Sequence, residues 1–308
     1  NRGSVVQILQ GKARLVYLVD SRQLTYEQQR LGSFNTMKLC FIESFIHWIE
    51  EKVCKEHWSF DAAVGYAKRH CIFARNEMVC TKTLYNYLHQ GLLGVKAINL
   101  PLVTRRSLRK SISSKYKREL GKSIELRDAT IETQEKFGHW EIDTIRRAKG
   151  KTDDVLLISL IERKSRLYVA LRCPSARAGD VKETLETWLS TFRNNVELGL
   201  LCKTITADNG LEFADTSDLK DEILSIYFAR SYSAWERGSN ERHNGLLRRF
   251  IPKGKQIENI SEHTLHRTLH WCNNLPREIL HYKTPQKVFL GKVNKIMDLH
   301  TVQFHIAI

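Results

Sequence analysis

Apolar residues follow two rhythms along this chain, and the change falls near residue 137. Before it the spacing is helical. In NTMKLCFIESFIHWIEEKV, Phe41, Phe45, Trp48 and Ile49 recur at i, i+4, i+7 and i+8, one face of an amphipathic helix. WSFDAAVGYAKRH follows, with Ser59 placed to cap it, and CTKTLYNYLHQGLLG sets Leu84, Tyr87, Leu88 and Leu92 on one stripe before Gly94. These two segments predict short helices joined by a turn. A helix-turn-helix presenting Lys82, Asn86 and Gln90 to a DNA groove fits the pattern, and so does a small helical packing unit. Upstream, residues 1–35 give weaker signals: SVVQILQ and ARLVYLV as short strands, LTYEQQRL as a helical turn or two.

Beyond residue 137 the apolar runs shorten and become β-branched. HWEIDTI predicts a strand, and DVLLISLIE and RLYVALRC predict two more joined by the charged turn RKS. GDVKETLETWLSTF is helical, with Val181, Leu185, Trp188 and Leu189 on one face. KTITAD and LSIYFA add a fourth and a fifth strand, and the region after Ser233 reads as helical through the tail, with Leu265, Leu269 and Trp271 as apolar positions. Three strands in a meander, a helix, two further strands and closing helices predict an α/β fold: a mixed five-stranded sheet with helices on its faces. The helical region precedes it.

Composition narrows the class of partner. The chain has 308 residues and 42% hydrophobic content, enough for a sizeable core, and 49 Lys plus Arg against 34 Asp plus Glu give a formal charge of +15. That charge points to a polyanion, nucleic acid first. No apolar run approaches the roughly 18 to 20 residues of a membrane-spanning helix. The segment 101–127 alone carries nine Lys or Arg against two Glu. It is too polar for a core element, and its length and position favour a DNA-tracking arm over a solvated linker, with Arg105, Arg106, Arg109 and Lys110 displacing counterions from phosphates. The seven cysteines are odd in number and include no CxxC pair, which argues against a secreted disulfide framework and for a reducing cytoplasm. The group Cys54, His57, His70, Cys71 and Cys80 fits none of the usual zinc-finger spacings.

Candidate chemistry lies in the carboxylates. Asp143 sits in the first strand after residue 137, and Asp208 ends the fourth, followed by the turn formers Asn209 and Gly210. Side chains at such strand ends face the crevice where open sheets bind ligands. With a third acid from a neighbouring helix they would suit hard divalent cations of the kind that clamp both oxygens in phosphoryl transfer. Each also has a plain structural reading, a strand-end ion pair for Asp143 and a common turn for DNG. Glu141 shares the strand face of Asp143, as a substitute ligand or an arginine partner. In YSAWERGSNERHNGLLRRFIPKG, Gly238, Ser239 and Asn240 look like the turn and cap that start a helix, leaving Glu236 in the loop. On a wheel of about 100° per residue, His243, Leu246, Leu247 and Phe250 lie opposite Glu241. Asn244, Gly245 and Arg248 share its side.

Taken in order, FGHWEIDTI, ITADNGLEFAD, WERGSNERHNGLLRRFIPKG and NNLPREILHYKTPQKVF resemble the catalytic core of the insertion sequence thirty family of bacterial transposases, within the integrase group of RNase H-like fold. The resemblance covers about residues 36 to 292. It implies that Asp143, Asp208 and Glu241 form an Asp, Asp, Glu triad holding two Mg²⁺ ions, with Mn²⁺ as substitute. The activity it implies is cleavage of double-stranded DNA at the terminal inverted repeats and joining of the freed 3′ ends to target DNA, by a homo-oligomer in a synaptic complex at the bacterial nucleoid. Trp235, Asn240, Asn244, Arg248, Arg249 and Lys253 match as residues that position DNA, although core packing accounts equally for Trp235 and surface solubility for Lys253.

The implied organisation is an N-terminal segment 1–35, a helical DNA-binding region 36–100, a basic linker 101–133, the catalytic domain 134–292 and a tail 293–308. Family members begin with a further helix-turn-helix; residues 1–35 lack its pattern and the chain begins at Asn, so truncation is expected. Two rivals stay open: a catalytically impaired DNA-binding fragment, and a structure-selective nuclease on the same fold.

Overall fold

The computed structural model describes residues 4–9, 12–17, 23, 26–28, 38–100, 121–128, 131–146, 154–193, 201–220, 224–229 and 238–297. Arg105, Arg106, Arg109, Lys110, Trp235 and Glu236, and the side chain of Glu241, lie outside the described residues. At the N-terminus β1 (Ser4–Leu9) and β2 (Lys12–Tyr17) pair antiparallel from Ser4 opposite Tyr17 to Leu9 opposite Lys12. Both strands match their sequence reading.

Three helices then share one core: α1 (Glu43–Cys54), α2 (Phe60–Arg69) and α3 (Thr81–His89). Ser59 caps α2, its hydroxyl accepting from the Ala62 amide at 3.1 Å. The buried stripe of α1 differs from the expected one. Phe41 stands 77% exposed in a 3₁₀ turn, and the stripe runs instead through Ile42, Phe45, Ile46, Ile49 and Val53. Ile42 is the N-cap residue, so the turn of chain before the helix rotates Phe41 off the face that continues it. Residues 70–80, with their own 3₁₀ turn at Arg75–Glu77, separate α2 from α3, a longer connection than the three or four residues of a helix-turn-helix. Lys82, Asn86 and Gln90 are exposed along α3.

The main sheet has the order β5-β4-β3-β6-β7, built from β3 (His139–Ile145), β4 (Leu156–Glu162), β5 (Tyr168–Cys173), β6 (Thr204–Ala207) and β7 (Ser225–Phe228). β3, β4 and β5 pair antiparallel, whereas β6 runs parallel to both β3 and β7. Every residue of β4 is buried, as a strand covered on both faces requires. At the charged turn after it, the buried Glu162 carboxylate accepts from the Ser165 amide at 2.6 Å, the Ser165 hydroxyl at 2.5 Å and the Gly138 amide at 3.2 Å. One face of the sheet packs under α4 (Ala178–Arg193) and α7 (Pro285–Met297), where Trp140 and Ile142 meet Val181, Leu185, Trp188 and Phe289. α5 (Gly238–Leu247) and α6 (Glu262–Asn274) cover the other face through Leu246, Leu247, Leu265 and Leu269. This is the mixed five-stranded sheet with helices on both faces that the sequence predicts.

The closing region is not one helical run. Pro252 and Gly254, with φ at +99°, interrupt it after α5. Leu275 is held extended at ψ 121° by the proline that follows, and the left-handed His281 and Tyr282 complete the second break. α7 also continues past the expected boundary at 292 to Met297, with Val293 in the sheet core.

The helical unit is seated on these closing segments. Trp271 Nε1 donates to the Glu56 carbonyl at 2.6 Å, Arg69 Nη1 to that of His281 at 2.9 Å, and Arg249 Nη2 to that of Asn99 at 2.8 Å. Leu275 is part of the helical core itself. A Cβ on Gly65 would lie 2.0 Å from the Tyr282 ring, so only glycine leaves room for that contact.

Candidate active site

Side chains alternate along β3, so with Trp140 and Ile142 turned to the α4 face, Glu141 and Asp143 turn to the face beneath α5 and α6. In the parallel pair, His139, Trp140 and Glu141 register with Thr204, Ile205 and Thr206. The same offset carried two residues further would align Asp143 with Asp208, just beyond the end of the ladder. The two acids selected from sequence therefore lie at the same end of two adjacent central strands.

Each is held by donors from its surroundings. Asp143 accepts the Thr144 amide at 2.9 Å on one oxygen and the Asn244 side-chain amide at 2.9 Å on the other. Asn244 in turn accepts the Tyr168 hydroxyl at 2.7 Å, and the Ser159 hydroxyl donates to the Asp143 carbonyl at 3.1 Å. Burial holds the fully buried Tyr168 phenol well above the usual tyrosine range, so it stays a donor. Asp208 accepts the Gly210 amide at 3.1 Å, and Asn209 ties the turn to the end of β7 by donating to the Ala229 carbonyl at 2.5 Å. Glu141, the alternative acid, is buried with an oxygen 3.4 Å from Arg163 Nε, so it is the partner of an arginine. On the same face His139 bonds Thr204 Oγ1 at 2.9 Å; burial first, then Lys203, Arg163 and Arg127, lowers its pKa to about 4.

Helix α5 packs on β3 and β4. Its buried side carries Asn240, His243, Leu246 and Leu247, with His243 lying 5.6 Å from the Tyr168 ring. Asn244 and Arg248 lie on the flank of that side, Arg248 Nη2 donating to the Arg146 carbonyl at 2.8 Å. Position 241 is three residues before Asn244 and seven before Arg248, on the same helical stripe. Among the described residues no three His, Cys, Asp or Glu side chains cluster as a metal site.

The residues expected to position DNA divide. Lys253 is exposed in the turn after α5. Asn240 is fully buried, with no hydrogen-bond partner among the described residues, so direct contact with DNA does not match its place under the helix. Arg249 also departs from expectation: its guanidinium reaches the carbonyls of Asn99 and, at 3.4 Å, His57, and so bridges to the helical unit. Asn244 and Arg248 make the site contacts already described.

Three residues went unnoticed in the sequence. Glu212, in the 3₁₀ segment Leu211–Leu219, has Oε1 at 3.0 Å from the Thr144 hydroxyl and 2.7 Å from Arg146 Nη2. Arg146 lies three positions after Asp143 and Glu212 four after Asp208, and that matched proximity was the available signal. Tyr168 offered none, because a tyrosine in an apolar strand reads as core.

No family model matches this sequence. It is 40% identical over 212 residues to the probable transposase for insertion-like sequence element IS1161 of Streptococcus salivarius, covering 68% of this chain and 58% of that protein. Against the transposase for insertion sequence element IS4351 of Bacteroides fragilis it is 34% identical over 174 residues, 56% of this chain and 50% of the relative. The transposase InsI for insertion sequence element IS30C of Escherichia coli (strain K12) is 29% identical over 241 residues, 75% and 61% of the two lengths. Among solved structures, the catalytic core domain of BIV integrase aligns with a TM-score of 0.39 at 18% identity, over 51% of this chain and 97% of that one. The chain thus spans 50 to 61% of the length of these curated relatives. Over the residues shared with them, it belongs to the insertion sequence thirty family of transposases.

Proposed function

We propose that this chain carries the catalytic core of a transposase that cleaves double-stranded DNA at the inverted repeats of an insertion element and joins the 3′ ends to target DNA. Asp143, Asp208 and Glu241 are its acidic triad in this reading, and two divalent ions, Mg²⁺ with Mn²⁺ as substitute, are its cofactor. The single observation that supports it is the β3–β6 register, which brings the strands bearing Asp143 and Asp208 side by side just before both acids, with α5 packed on β3.

The residues present fit such a cation. Paired carboxylates supply the hard oxygen donors that Mg²⁺ takes, and the Thr144 and Asn244 donors orient the first of them. When bound, divalent ions would supply Lewis acidity toward the scissile phosphate and its attacking and leaving oxygens. The protein contributes position. Asn244 and Tyr168 hold Asp143, and the Gly210 amide and Asn209 hold the turn that bears Asp208. The basic segment 101–127 and Lys253 would track phosphates and fix the duplex in register. Assembly of two or more copies follows from the need to hold two DNA ends together.

The test is purified protein with duplex DNA carrying the inverted repeats that flank its reading frame. Asp143→Asn, Asp208→Asn and Glu241→Gln should each abolish Mg²⁺-dependent nicking and strand transfer while DNA binding remains; Glu236→Gln should be mild. Normal nicking by Glu241→Gln would remove that residue from the triad. Binding without cleavage by the unaltered chain would favour an impaired DNA-binding fragment. Cleavage of branched DNA without joining would favour a nuclease.

A further inference from the structure

We infer that Glu212 is a positioning residue that sets the spacing of Asp143 and Asp208 by strapping the end of β3 to the turn after β6. The inference rests on reading those aspartates as the cation-binding pair. The β3–β6 ladder ends at Glu141 opposite Thr206, two residues short of both acids. Beyond that point Glu212 spans the gap. Its Oε1 takes the Thr144 hydroxyl and the Arg146 guanidinium, one on each side of Ile145, so a single carboxylate oxygen grips the β3 terminus at two places.

The same side chain also bears on Asp208. A Cβ on Gly210 would lie 2.6 Å from Glu212 Oε2 and 2.9 Å from Asp208 Oδ1, so both carboxylates flank one point of backbone. The Glu212 side chain is 14% exposed, which limits screening of its pair with Arg146. Arg146 is braced from the other side, where Arg248 donates to its carbonyl. The strap therefore joins three elements: β3, the post-β6 turn and the end of α5. Oε1 is committed to Thr144 and Arg146, so through that oxygen Glu212 supports the two acids by holding their backbones together.

Mn²⁺ binding to the full chain, followed by the electron paramagnetic resonance signal of the free ion, tests this without any need for turnover. Glu212→Ala should weaken Mn²⁺ binding by about 10- to 100-fold, the range for loss of residues that orient metal ligands. Glu212→Gln should lose less, because its amide oxygen still accepts from Thr144, and it guards against a folding defect in the alanine variant. The charge-exchanged pair Arg146→Glu with Glu212→Arg should recover most of the affinity. Unchanged binding in Glu212→Ala alongside lost binding in Asp208→Asn would overturn the inference and leave the aspartates standing. An exchanged pair as weak as Glu212→Ala would overturn it too, in favour of direct ligation by Glu212. If neither Asp143→Asn nor Asp208→Asn altered Mn²⁺ binding, the reading of the site itself would fail.

Discussion

Replacing Asn244 by alanine should destabilise the fold and mis-set Asp143 together, because one amide group serves both. Its nitrogen donates to a carboxylate at 2.9 Å, and hydrogen bonds to charged groups contribute about 1.5–3 kcal/mol. Its oxygen accepts the hydroxyl of Tyr168, which is fully buried, and stranding a buried polar group costs about 1–3 kcal/mol. Asp143 is half-buried, so water recovers part of the first loss. Asn244→Ala should then cost about 2–4 kcal/mol, and Tyr168→Phe about 1 kcal/mol. The sign of their coupling is the sharper expectation. With Asn244 gone, the Tyr168 hydroxyl is a liability, so adding Tyr168→Phe should restore about 1 kcal/mol rather than remove more. Urea unfolding followed by tryptophan fluorescence, with Trp140 and Trp188 in the sheet core, reads these differences at constant m. Strict additivity of the two losses would refute the shared amide as the link.

Arg249→Ala should cost about 1–3 kcal/mol by stranding the carbonyls of Asn99 and His57, and should raise amide exchange in α1 to α3, with little change in DNA affinity. A loss of DNA affinity with no change in exchange would return Arg249 to the phosphate contacts. The His139 pKa, lowered to about 4, means the folded state stays neutral where the unfolded chain, near 6.5, takes up a proton. Stability from this group is therefore complete above about 6.5 and declines as pH falls toward 4, by at most about 3 kcal/mol; His139→Gln should flatten that part of the unfolding profile. Neutralising Arg105, Arg106, Arg109 and Lys110 should reduce the slope of log affinity against log salt by about 0.9 for each phosphate they neutralise in the unaltered chain, whereas an unchanged slope would make the segment a linker. Gly210→Ala should weaken Mn²⁺ binding, since its methyl would enter the space between the Asp208 and Glu212 carboxylates.

Sequence by itself determined the elements and singled out the candidate acids. Period-two and 3.6-residue spacing are local properties, so the five strands and α4, with its buried Val181, Leu185, Trp188 and Leu189, were legible from spacing alone. The order of motifs selected Asp143, Asp208 and Glu241 because a family preserves residue types at set separations. Failures came where a neighbour outside the local window decides. Phe41 fitted a helical stripe but is turned outward by the turn before α1, and Pro252 and Leu275 ended helices that apolar spacing would have continued. Only the tertiary structure decided what the polar groups touch. That Glu141 meets Arg163, that Asn244 joins Asp143 to Tyr168, and that Glu212 grips Thr144 and Arg146 depends on strand register and on the seating of α5. Those contacts link residues 22 to 101 positions apart, and a side-chain hydrogen bond reaches only about 3 Å, so no local pattern can encode which partner it finds.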